Sequence, residues 1–120
     1  MHLLFGFEGR VGRLSWWLGE LVAFSVVVIG IVIAVMTVDH GPDGKAVPSL
    51  STAIVVLSAI ALGTWIRVSV TVKRYHDRGK GGVWFLVVFI PIIGPLWQLI
   101  ECGFLPGTEG PNAYGPDPLA

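Results

Sequence analysis

Three long apolar runs alternate with short polar segments along this chain of 120 residues. They cover residues 16–38, 51–72 and 83–105. At 1.5 Å per helical residue, each is about long enough to cross a hydrocarbon core of about 30 Å. The pattern predicts an all-α integral membrane protein with three transmembrane helices. Ser15 is a candidate N-cap for the first helix, and Trp16 and Trp17 suit the interfacial belt. Residues 1–15 mix apolar residues with glycine and two arginines, the composition of a segment lying at the membrane surface. The first run is too long for the apolar part of a cleaved leader and reads as a signal anchor. Between the first two runs, "DHGPDGKAVPSL" is a loop by its Gly, Pro and Asp content. Residues 106–120 form an irregular tail too rich in Pro and Gly for a helix. The whole is a single membrane domain.

The third run carries Pro91, Gly94 and Pro95 near its middle. Proline removes a backbone donor and crowds the preceding turn, so this span is expected to be kinked at Pro91/Pro95. The alternative is a re-entrant hairpin, which needs its irregular backbone buried in protein. A kinked crossing places the tail on the side opposite the N-terminus, and a hairpin returns it to the same side.

Composition sharpens this picture. The chain is 53% hydrophobic and 13% charged, and its charges gather at the ends of the apolar runs. Zero net charge argues against a nucleic-acid partner. Arg10 and Arg13 precede the first run, Lys73, Arg74, Arg78 and Lys80 follow the second, and the intervening loop carries only Lys45. By the positive-inside rule the N-terminus and the Lys73–Gly82 loop are cytoplasmic. The lone Cys102 has no disulfide partner and reads as a small apolar filler. No metal site is expected, because His2 and His40 are remote from His76, and no cofactor is implied.

Three charged residues fall inside the runs: Glu20, Arg67 and Glu101. Each is costly in lipid without a partner or a route to the interface. Glu20 lies six residues past Leu14 and Arg67 six before Lys73, so both sit roughly 9 Å from the same end of antiparallel helices. An intramembrane ion pair between them is expected, as a structural link or as a relay. Ala59 and Gly63 on one helix and Ala23 on the other favour the close approach. Glu101 is placed near the far interface, as a hydrated helix end.

The candidate chemistry lies in "FEGRVGRLSWW" and "KRYHDRGKGG". Arginines one turn apart, at Arg10 and Arg13, suit a phosphate clamp or a topogenic signal. In the second stretch, His76 and Asp77 are neighbours on a helix and point in different directions, so they are no ready-made dyad. Gly79, Gly81 and Gly82 permit a tight turn, without the order of a P-loop.

Together with "IPIIGPLW" and "PGTEGPNAYGPDP", these blocks resemble the bacterial inner-membrane family known as domain of unknown function 805, the YhaH-like proteins. The matching positions are Phe7, Gly9, Arg10 and Arg13, then Arg74, His76 and Asp77, then Asn112, Gly115 and Pro116; Gly82 and Tyr114 lie within the same blocks. Lys73, Tyr75 and Gly81 depart from the family's usual arginine, leucine and serine. The resemblance implies an integral inner-membrane protein and carries no activity with it.

The leading expectation is a non-enzymatic protein that binds anionic lipid headgroups or a membrane partner through Arg10, Arg13, Lys73, Arg74, His76, Arg78 and Lys80. One alternative is a subunit of an oligomeric transporter or channel using Glu20 and Arg67. Another is a lipid-headgroup enzyme with His76 as general base.

Overall fold

The computed structural model describes residues 6–119. Helix α1 runs Arg13–Thr37 and helix α2 Leu50–Asp77, antiparallel and joined by a loop in which strands β1 (Asp39–His40) and β2 (Ala46–Val47) pair. A 3-10 segment, Gly82–Phe89, and a short helix α3, Ile93–Gly103, complete the regular elements. Helix α1 starts after Gly12, so Ser15 lies inside it and caps nothing. Helix α2 starts at Ser49, whose hydroxyl accepts from Thr52 N at 3.4 Å.

A seam of small residues lets α1 and α2 approach closely. Gly19, Ala23, Gly30 and Ala34 are buried on α1, and Gly63 on α2. A Cβ at Gly63 would stand 2.7 Å from Val27 and 3.1 Å from the Ala23 carbonyl. Without a hydrophobic drive between helices in lipid, such van der Waals fit is what holds them together. Their outward faces expose large apolar residues, among them Leu21, Phe24, Val35 and Ile54. The buried core lies at the other end, where Trp16, Val70, Tyr75 and Cys102 pack together.

Two helices, α1 and α2, are long and apolar enough to cross a membrane, which corrects the expectation of three. The third apolar run is neither a kinked crossing nor any other continuous span. It is an eight-residue 3-10 segment and an 11-residue helix folded against each other. Each is about 16 Å long, half a hydrocarbon core. The break is local chemistry. Ile92 adopts φ 67° and ψ −56°, and Ile93 N donates to Pro91 O at 2.7 Å, closing a γ-turn. Gly94 sits against the Val87 carbonyl, where a side chain would collide. Pro95 falls in the first turn of α3, where its missing N–H is no loss.

The chain therefore returns to the end from which it came. Glu101 joins Arg78 and Lys80 there instead of lying at a far interface. The tail folds over Arg10 and Asp77.

Candidate functional site

The two basic stretches and the tail converge at one end of the α1–α2 hairpin. The last turns of α2 carry Lys73 through Asp77, and the helix stops in a Schellman arrangement. Gly79, at φ 76°, donates to His76 O at 3.0 Å, and Lys80 N donates to Tyr75 O at 2.8 Å. Gly79 is thus the residue that needs its conformational freedom, and "RGK" is a helix stop.

Asp77 is the centre. One of its carboxylate oxygens accepts from Arg10 Nε at 3.0 Å and lies 2.9 Å from Arg10 Nη2; the other pairs with Arg74 Nη1. The remaining donors go to backbone carbonyls. Arg10 reaches Gly110 O at 2.7 Å, Gly115 O at 3.1 Å and Thr108 O at 2.6 Å. Arg74 reaches Cys102 O at 2.7 Å and Leu105 O at 2.5 Å. Both side chains are enclosed, with 1% and 0% of their surface exposed. Two guanidiniums can be buried here because one carboxylate and a ring of carbonyls replace their water. Gly107 has to be glycine at this point, since a Cβ would overlap the Asp77 carboxylate. Thr108 N then donates to Asp77 O at 2.7 Å and ties the tail down.

His76 faces away from this cluster. Its Nδ1 lies 3.0 Å from Gly9 O, so the ring proton sits on that nitrogen. The ring stacks on Tyr114 at 4.1 Å with 2° between planes. A turn from Asn112 to Gly115 presents the tyrosine, and Asn112 Nδ2 donates to His76 O at 2.9 Å. Asp77 is engaged by Arg10 and Arg74 and does not orient His76 as a base.

A second cluster surrounds Glu101. Its carboxylate accepts from Arg78 Nε at 3.1 Å, from Trp97 Nε1 at 2.6 Å and from Lys80 Nζ. Burial alone would raise its pKa, but the hydrogen bonds from Lys80, Arg78 and Trp97 outweigh that and hold it below the ordinary 4.5. Lys80 also lies over the Trp84 ring, 4.3 Å from its centroid. Arg78 and Lys80 stay 21% and 28% exposed, beside a cavity of about 250 Å³ walled by Trp97, Ile100 and Leu105. The sequence puts Glu101 at a far interface and does not single out Trp97, because the distance between Glu101 and "RGK" in sequence conceals their contact.

Around these clusters, Arg13 is exposed and donates to Phe104 O at 3.1 Å. Trp17 Nε1 donates to Gly103 O at 3.0 Å and Trp16 Nε1 to Thr71 Oγ1 at 3.1 Å. Phe7 packs edge-on against Trp65, Gly82 opens the 3-10 segment against Val72, Lys73 is buried and Pro116 is exposed. Cys102 is fully buried, and that burial pushes its thiol up to about 12, away from the reactive thiolate form. His40 lies in β1 at the opposite end of the hairpin, and His2 falls outside the described residues. Along the helices, Arg67 Nε meets Glu20 Oε2 at 3.1 Å, and Thr71 Oγ1 lies 3.4 Å from Glu20 Oε1.

A helical hairpin of membrane-crossing length, closed at one end by a buried arginine–aspartate cluster, defines a small multi-pass membrane protein. The chain belongs to the protein family of unknown function DUF805, whose model matches residues 4–116. It is 32% identical to the protein named uncharacterized protein YiiR of Escherichia coli, over 95% of this chain and 86% of that one. It is 31% identical to the Escherichia coli inner membrane protein YhaI, over 94% and 86%, and 30% identical to its inner membrane protein YhaH, over 94% and 87%. No solved structure matches the chain. With two membrane-crossing helices and these relatives, it is a bacterial inner-membrane protein.

Proposed function

We propose that the chain binds anionic lipid headgroups at the cytoplasmic face of the inner membrane, without catalysing a reaction on them. The orientation rests on the arginine and lysine asymmetry about the hairpin. One observation carries the binding reading: the cavity beside α3 sets Arg78 and Lys80 at the rim of an apolar wall of Trp97, Ile100 and Leu105. Two cations share one carboxylate there, so positive charge is left over for a phosphate, and the apolar wall suits the start of an acyl chain. Exposed Arg13 extends the same face. Arg10 and Arg74, with their donors spent on Asp77 and carbonyls, hold the site's scaffold instead of the lipid.

The test is native mass spectrometry of protein released from bilayers containing equal phosphatidylglycerol and phosphatidylcholine. Phosphatidylglycerol should be retained preferentially, and R78Q/K80Q should lose that preference severalfold, as should high salt. Equal retention of both lipids by the unaltered protein overturns the reading.

A further inference from the structure

The Glu20–Arg67 pair opens onto a cavity that the headgroup reading does not use. It lies between α1 and α2, has a volume of about 390 Å³, and is lined by Glu20, Phe24, Val27, Thr64 and Arg67 together with the small residues Ala23 and Gly63. That volume lies within the range of small-molecule sites. The pair is lopsided: Arg67 keeps 49% of its side chain exposed and Glu20 19%. Glu20 also lies 3.4 Å from the Thr71 hydroxyl, while the Arg67 side chain stays half exposed. Glu20 is the one acceptor among the described residues that Arg67 meets, and it does so through Nε.

A half-exposed arginine within a membrane-crossing helix is costly unless an acceptor covers its charge. Apart from Thr64 the rest of the lining is apolar, with Phe24 and Val27 following Glu20 along α1 away from the charged end. Adjacent cationic and apolar walls match an amphiphile with an anionic head and one alkyl chain. We infer that this cleft is an intramembrane site for a single-chain anionic amphiphile, its phosphate or carboxylate on Arg67 and its chain along Phe24 and Val27. Glu20, 3.1 Å from Arg67 Nε, orients the guanidinium, and the ligand's carboxylate or phosphate takes its Nη donors. Thr64, one turn from Arg67, adds a hydroxyl at the cavity wall. This site stands apart from the Arg78–Lys80 cavity and would remain if that one proved empty.

The experiment measures retention of three oleoyl probes by the purified full chain in a nonionic detergent. The probes are oleate, lysophosphatidylglycerol and, as an uncharged control, monoolein. Wild type should hold an acidic probe over monoolein; oleate alone would name a free acid as the source, and lysophosphatidylglycerol alone a phospholipid. R67Q should weaken the acidic probe by about tenfold or more, the loss expected for a charged hydrogen bond. Thr64→Phe, which fills the cavity and leaves both charges in place, should do the same. The same comparison is made in an R78Q/K80Q background, which removes the headgroup cavity's charge; R67Q should still weaken oleate retention there, which separates the two sites. In that background, retention that survives both R67Q and Thr64→Phe overturns the inference. So does a dimer that R67Q dissociates, because the occupant would then be a second copy.

Discussion

Asp77 and Glu20 are both carboxylates set against arginine within one hairpin, yet their surroundings differ in kind. Asp77 lies 4% exposed between two enclosed guanidiniums, and every one of its partners is tied to a different part of the chain. Arg10 comes from the segment before α1, Arg74 from α2 itself, and the carbonyls that complete the shell come from α3 and the tail. Glu20 meets one arginine that is half open. The first arrangement is closed, so its charges serve the fold. The second leaves donors over, so it has something to offer a ligand.

Removing charge should separate the two. Asp77→Asn leaves two buried guanidiniums with carbonyls alone and should cost about 3–5 kcal/mol, the range for breaking a buried pair. Thermal unfolding in mild detergent, followed by circular dichroism, checks this; a loss under about 1 kcal/mol would break the distinction.

Acidification probes the Glu101 cluster, which lies between these extremes. Its folded pKa is held below the ordinary 4.5, so the unfolded chain binds that proton more tightly. The linked stability is fully present above that ordinary value and is lost as pH falls through it toward the folded pKa. E101Q should therefore flatten the acid limb of a stability profile, leaving the part due to other carboxylates.

The smallest effect is expected at the open pair. Glu20→Gln should cost less than Asp77→Asn, since a glutamine oxygen can still accept from Arg67 and the small-residue seam holds the helices without the charge. A loss as large as that of Asp77→Asn would make the pair structural and would narrow the case for a ligand.

The tail shows how different the two kinds of information are. "PGTEGPNAYGPDP" reads as irregular, and it is, but its composition does not disclose that Gly107 seats on Asp77 or that Tyr114 stacks on His76. Those contacts join residues 30 and 38 positions apart. The resemblance to a family marked the positions as belonging together without saying that they touch. The cationic residues were legible as a group, yet their division into enclosed scaffold and open rim depends on which oxygens the fold brings near each.

By itself, the sequence determined that the chain belongs in a membrane, because so much apolar surface, with charges gathered at the ends of the runs, needs lipid to cover it. Depth along a helix is local too, which is why arithmetic from Leu14 and Lys73 puts Glu20 and Arg67 at one level, and they meet at 3.1 Å. Tertiary structure alone decided the third apolar run. Its length matches a span as well as the other two do, but Ile92 turns the backbone and Gly94 closes on Val87. That reversal brings Glu101 to Arg78 and lays the tail over Arg10, so the polar end of the molecule was written by contacts between segments and not by any segment alone.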